Sequence, residues 1–308
     1  MEQTQQPTKK KRTHRQFMEM MQGYGFLLPA GVIAAIFFIY ATVFAIYMSF
    51  NNVSMMTNTY NWNNFKNYAN LLTDPTVRTA LENTLGFVVI VVPCQTIIAL
   101  VVAYVLSSRG VKFKGLFRLV YFLPTLTSSA ALTLIFMFLF NINGPINQAL
   151  MGMGLYHTPI NFLNEPFWSM KVIVAMNIWS TVPFYMTIYL ASLVDLPYSL
   201  YEAAMIDGAS AWERLRYITV PYLRPVTTYV LLTGIIGTFQ MFDQAYIFSG
   251  GTGGPSNSTL TIALLIYQYA TTGLGSGVGY AAAIAVLLGV IIFIVSRLAE
   301  KLNGGLGS

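Results

Sequence analysis

The sequence predicts an all-α integral membrane protein with six transmembrane helices. Three observations carry that reading. Of the residues, 55% are hydrophobic and 9% are charged, whereas soluble domains carry roughly 25% charged residues. So few ionisable groups cannot cover a water-exposed surface of this length. Several apolar runs reach the roughly 18 residues that cross a bilayer as a helix. The basic residues are scattered between those runs, so the net charge of +6 reports membrane orientation and not a nucleic-acid partner.

Residues 1–25 form a polar tail with Lys9, Lys10, Lys11, Arg12 and Arg15 ahead of the first apolar run. Phe26 to Phe50 then runs without a charge, well beyond the roughly 7–15 residues of a signal-peptide core. It reads as a retained span. Further runs follow at 84–106, 119–140, 172–193, 226–248 and 278–296. Each can cross a core about 30 Å thick only as a helix, which satisfies its own backbone. Leu260 to Ala270 is apolar but short, which suits an interfacial or re-entrant helix. Residues 26–300 are taken as one transmembrane domain, with a polar loop at about 195–224, and 301–308 as a flexible tail. The single cysteine, Cys94, permits no intrachain disulfide and reads as a small buried hydrophobe.

An even number of spans places both termini on one side. That side collects fourteen of the seventeen Lys and Arg residues. The opposite side keeps only Lys66, Arg78 and Lys171. The positive-inside rule makes the first side cytoplasmic.

The polar loop "SLYEAAMIDGASAWERLRYITVP" lies on that side. Ser199 and Glu202 have capping-box spacing, and Gly208 can close the helix that follows. Ser210 and Glu213 repeat the box, and Pro221 and Pro225 mark the approach to the next span. The spacing predicts two short helices joined by a turn. Ala203 and Ala204 are small enough for a partner to approach closely.

Glu202-Ala203-Ala204, Asp207-Gly208 and Ile218-x-Val220-Pro221 resemble the EAA loop of permease subunits of bacterial ATP-binding-cassette importers, with Val220 where leucine is usual. "YFLPTLTSSAALTLIFMFLFNINGPIN" and "GTFQMFDQAYIFSGGTGGPSNSTLTIALLIYQYA" are similar to the carbohydrate-uptake branch, the maltose and oligosaccharide type. The resemblance implies a type I importer permease fold in a bacterial cell membrane. It implies that the segment around Glu202 to Gly208 is a coupling helix seated in a groove of an ATPase subunit. The implied partners are a second related permease, two ATPase subunits that bind ATP-Mg, and an extracellular solute-binding protein. The chain has no Gly-x4-Gly-Lys-Ser/Thr string, so it reads as a transport subunit with no catalytic residue, metal or cofactor of its own.

Polar side chains inside spans are costly and mark a path or a helix contact. The candidates are Gln95, Thr125, Thr127, Ser128, Ser129, Asn177, Ser180, Thr181, Thr238, Gln240 and Asp243, with Phe239, Phe242 and Tyr246 beside the last two. Asn177, Ser180 and Thr181 share one helix face by their i, i+3, i+4 spacing. Amides, hydroxyls and aromatic rings suit a neutral sugar, and no Lys or Arg lies mid-span to favour an anion. The resemblance assigns Asn177, Thr181 and the Gly234–Thr238 region to sugar-contacting stretches. Asp243 is open between substrate, binding protein and partner permease. The external loops 51–83 and 141–171 are candidates to receive the binding protein, although their aromatics equally suit interfacial anchoring. Two rival classes remain: an ion-coupled secondary sugar transporter, which needs mid-membrane ionisable groups, and a membrane enzyme, which needs clustered His, Asp, Glu or Cys.

Overall fold

The computed structural model describes residues 14–54, 59–108, 114–272 and 277–304. Lys9 to Arg12, Arg109 and Lys112, which carry much of the charge bias, lie outside the described residues, as does the tail after Gly304.

The first span is one rod. α1 (His14–Ala34) continues through a π-helical stretch, Ala35–Tyr40, into α2 (Ala41–Ser49). Its α2 end packs against the last helix of the chain. The rest presents apolar side chains outward, with Phe26 87% and Phe38 71% exposed. A short hairpin follows, the one departure from an all-helical reading. β1 (Asn51–Ser54) pairs antiparallel with β2 (Thr59–Trp62), Asn51 opposite Trp62. Phe50 stacks on Trp62 at 5.5 Å and meets Tyr68 of α3 (Lys66–Thr73) at 5.2 Å. Buried Asn67 donates to the Ser49 and Asn51 carbonyls and so stitches α3 to the hairpin.

α4 (Pro75–Ser107) starts as its sequence dictates, with Asp74 as N-cap and Pro75 in the first turn. Asp74 Oδ1 accepts from the Thr76 and Val77 amides, at 2.8 and 3.4 Å. Its Oδ2 accepts the hydroxyls of Tyr269 and Tyr280, at 3.1 and 2.9 Å. Burial pushes this carboxyl up, but the four hydrogen bonds outweigh it and hold it below its ordinary value.

The expected third span, 119–140, is not one straight helix. α5 (Lys114–Leu126) and α6 (Ser129–Leu139) are bent by 99° at Thr127–Ser128. Ser128 has extended backbone, and its hydroxyl caps α6 by accepting from Ala131 N at 3.2 Å. The cap overrides the continuous apolar run. α7 (Pro145–Gly152) leads to α8 (Pro166–Val194), which packs along α4 as the central helix pair.

The polar loop folds as α9 (Tyr198–Ile206), α10 (Ala211–Arg214), a π-helical turn at Leu215–Thr219 and α11 (Val220–Tyr222). The run 226–248 is also broken: α12 (Arg224–Phe239) stops, and α13 (Asp243–Ser249) restarts after Gln240, Met241 and Phe242. A 3-10 turn at Pro255–Asn257 precedes the separate short helix α14 (Ile262–Thr272), and α15 (Val278–Leu302) completes the chain.

Among the described residues, five helices are long and apolar enough to cross a membrane, and six if the bent α5–α6 pair crosses as one broken span. The larger core gathers Phe87, Ile173, Met176, Phe239, Leu264 and Ile284 from α4, α8, α12, α14 and α15. A second core, with Ala103, Tyr189, Leu193 and Leu223, sits where α4 and α8 approach the polar loop.

Candidate functional site

The polar loop and the helix interior each assemble a site. In the loop, the expected Ser199–Glu202 box does not form. α9 begins two residues earlier, behind Pro197, whose φ of −58° already suits the turn, and Ser199 falls inside the first helical turn. The exit is as the glycine requires. Gly208 has φ +80°, its N–H bonds Met205 O at 3.1 Å, and Ala209 N bonds Ala204 O at 2.8 Å. These two bonds form a Schellman cap, with Gly208 in the left-handed position. No atom lies within 4 Å of a Cβ built there, so the backbone alone demands the glycine.

The second box forms in full. Glu213 N donates to Ser210 Oγ, and Ser210 N donates to Glu213 Oε2 at 2.7 Å. Hydrogen bonds from the Ser210 hydroxyl and backbone hold the Glu213 carboxyl below its ordinary value. Arg214 Nη1 donates to Ala209 O at 2.8 Å and closes the turn. Tyr201 and Thr219 share a hydroxyl hydrogen bond of 2.6 Å, and Tyr104 of α4 donates to Ala211 O at 3.1 Å. The elbow is therefore braced against its own spans.

Its outer face is open. Glu202, Ala203, Asp207 and Gly208 are exposed, Ala204 and Ile218 half-buried, and Pro221 exposed. Sequence reasoning missed the apolar side chains on this face: Ile206 is 86% and Trp212 66% exposed. Ile206 and Trp212, with Tyr217 at 69% exposure, leave apolar surface open on the elbow.

The second site is a cavity of about 300 Å³ lined by Thr125, Thr127 and Ser129 of the bend, Ser180, Thr181 and Tyr185 of α8, and Gln244 of α13. None of its lining residues is charged. Thr181 Oγ1 donates to Gln95 Oε1 at 2.8 Å. Asn177 Nδ2 donates to Gln244 Oε1 at 3.0 Å. Gln95 Nε2 and Asn177 Oδ1 are buried without partners, which is costly in a low-dielectric interior.

The other sequence candidates do not line this cavity. Gly234 faces Gln95: a Cβ there would stand 2.5 Å from Gln95 Nε2, so the glycine makes room for that amide. Thr238 is buried and bonds its own helix carbonyls at Gly234 and Ile235. Gln240 and Asp243 are exposed at the break between α12 and α13. Tyr246 packs with Phe242 and Tyr267 at 5.4 and 5.2 Å. Ser128 spends its hydroxyl on the α6 cap. Gln244, the partner of Asn177, was missed because the break at 240–242 re-aims α13 and spoils a continuous helical register. Its signal was an amide inside a short, otherwise apolar segment.

Comparison with known proteins agrees with this architecture. Residues 95–306 match the family model described as the binding-protein-dependent transport system inner membrane component. The lactose transport system permease protein of Rhizobium radiobacter is 34% identical, over 90% of this chain and 92% of its own length. The arabinooligosaccharides transport system permease protein of Bacillus subtilis is 33% identical, over 91% of this chain and 88% of its own. A solved bacterial alginate transporter, in complex with an alginate pentasaccharide-bound periplasmic protein, superposes with a TM-score of 0.77 at 21% identity. That match covers 96% of this chain and 98% of that one, and it fixes the fold. The chain is a multi-pass membrane protein and belongs to the family of inner membrane components of binding-protein-dependent transport systems.

Proposed function

We propose that this chain is the permease subunit of an ATP-driven importer of a neutral carbohydrate, most simply an oligosaccharide, delivered by an extracellular binding protein. The observation that carries the proposal is the braced elbow, α9 to α11, whose exposed face offers Ala203, Ile206 and Asp207 to a groove. Two ATPase subunits holding ATP-Mg dock there from the cytoplasm, where both termini also lie. Their closure moves the elbow, and the elbow moves the spans between inward- and outward-facing states. Glu202, Ala203, Ala204, Asp207 and Gly208 make the docking surface. Ile218 and Pro221 join it to α12.

A second, related permease covers the open face of α1 and completes the path. The uncharged cavity supports a neutral solute, since its amides and hydroxyls suit sugar hydroxyls and Phe184 and Tyr185 offer ring faces. Relatives named for lactose, arabinooligosaccharide and trehalose/maltose transport support the same class. Asn177 and Thr181 hold the solute, Gly234, Thr238 and Ser128 set the walls, and Gln240, Asp243 and Tyr246 line the external approach.

The test is co-purification and transport. The wild-type chain is expected to retain ATPase subunits and to support sugar uptake that stops when ATP is withheld. Uptake by this chain alone, driven by an ion gradient with no ATPase subunit, would overturn the proposal.

A further inference from the structure

A further cavity lies behind the elbow, apart from the uncharged cavity above. It has a volume of about 310 Å³. Tyr104 and Ser108 at the end of α4, Leu193 and Leu196 at the end of α8, and Tyr201 and Met205 of α9 form its walls, with Arg214 of α10. The leucines are buried and give an apolar floor. The tyrosines are fixed by their bonds to Ala211 O and Thr219, so the cavity is preformed.

Among the described residues, Arg214 is the only charged side chain in that wall. One of its N–H groups is committed to Ala209 O, and a guanidinium has five. Among the described residues no carboxylate pairs with it. A half-buried guanidinium facing a cavity with an apolar floor and a hydroxyl-bearing rim suits an anion carried on an apolar or small organic body. The planar fork favours a multi-oxygen anion over a point contact.

We propose that this cavity binds a phosphate group, and that its occupancy sets how firmly the elbow is held to α4 and α8. Three elements, α4, α8 and the α9–α10 elbow, meet around it. A ligand that bridges them binds one elbow position better than another and therefore shifts the equilibrium between positions. Binding itself depends only on this chain. Its consequence for transport rests on the docking role proposed for the elbow.

The phosphate can come from a phospholipid headgroup or from a soluble phosphate ester, and the experiment separates them. The full permease complex is placed in nanodiscs of phosphatidylcholine, with or without phosphatidylglycerol, and bound lipid is counted by native mass spectrometry. Arg214→Gln is expected to weaken phosphatidylglycerol retention about fivefold, the share of one arginine. Ser108→Trp, which fills the rim and keeps the charge, is expected to do the same. In phosphatidylcholine proteoliposomes, inorganic phosphate and glycerol 3-phosphate are titrated against sugar transported per ATP hydrolysed. A response lost in both variants assigns a soluble source, whereas a response only to phosphatidylglycerol assigns the lipid.

Equal lipid retention and equal phosphate response in wild type and both variants would overturn the proposal. Loss of the ATPase subunits from the wild-type complex would instead break the docking assignment, while the lipid count on the remaining permease would still decide this site.

Discussion

Between residues 195 and 223 the chain exposes apolar side chains on a frame whose polar groups are bonded. Around α4, α8 and α13 it does the reverse. Ile206 and Trp212 stand bare on the elbow while Ser210, Glu213, Arg214 and Tyr201 all find partners. The cavity's lining is uncharged, and behind it Gln95 and Asn177, bonded to Thr181 and Gln244 of the lining, each leave one buried amide atom without a partner. A rigid frame with an apolar outer face suits docking a protein. An uncharged cavity lined by hydroxyls and an amide suits a ligand that brings hydroxyls. Under the proposed function, the two regions divide the work of moving and of holding.

The largest expected effect breaks the elbow. Gly208→Arg puts a bulky cation on the docking face at a left-handed backbone position, and sugar transport should fall to background. Gly208→Ala keeps the face open and meets no atom, so it should cost only the about 1–2 kcal/mol of the left-handed conformation. A comparison of thermal stability with transport in the two variants separates strain from docking.

The cavity is tested next by Gly234→Ala. The new methyl would fall 2.5 Å from Gln95 Nε2, so stability should drop by about 1–3 kcal/mol. Adding Gln95→Ala should restore part of that loss, and a purely additive double mutant would sever the two positions. Asn177→Ala should act on function more than on assembly. Losing one hydrogen bond to the solute should raise the half-saturating sugar concentration about three- to tenfold, with complex yield unchanged. A defect in yield alone would make Asn177 a packing residue.

The smallest effect concerns neither region, and it calibrates both. Asp74 ties α4 to α14 and α15, and its carboxyl is held below the ordinary value by its hydrogen bonds against the opposing effect of burial. A depressed folded-state pKa gives stability that is present above about 3.9, the unfolded value, and lost as pH falls through the folded value. Melting temperatures of wild type and Asp74→Asn should therefore differ at neutral pH and converge only in strong acid. A difference that grew on acidification would reverse the sign.

What the sequence made legible was local. Ser210 and Glu213 cap a helix within four residues, and Gly208 closes one, because those bonds need no distant partner. Ser199 misled because Pro197 started the helix first. The 119–140 run looked continuous by hydrophobicity, although Thr127, Ser128 and Ser129 already offered the cap that bends it by 99°. Asn177 and Thr181 were found by their shared face, but Gln244 was not, since its contact spans 67 residues and a helix break. The hairpin at Asn51–Trp62 carries no alternating apolar pattern: Val53 is buried, Asn51 is held by Asn67, and Tyr60 and Trp62 are exposed. The bare isoleucine at 206 could not be told from a buried one without the fold.

The account stands or falls on which side the elbow faces and what covers it. Ala203→Cys, in a Cys94→Ser background, can be treated with a membrane-impermeant maleimide in intact cells and in inside-out vesicles. Labelling only in the vesicles, and only after the ATPase subunits are stripped away, is the expected result. Labelling from outside intact cells, or equal labelling with and without those subunits, would contradict it.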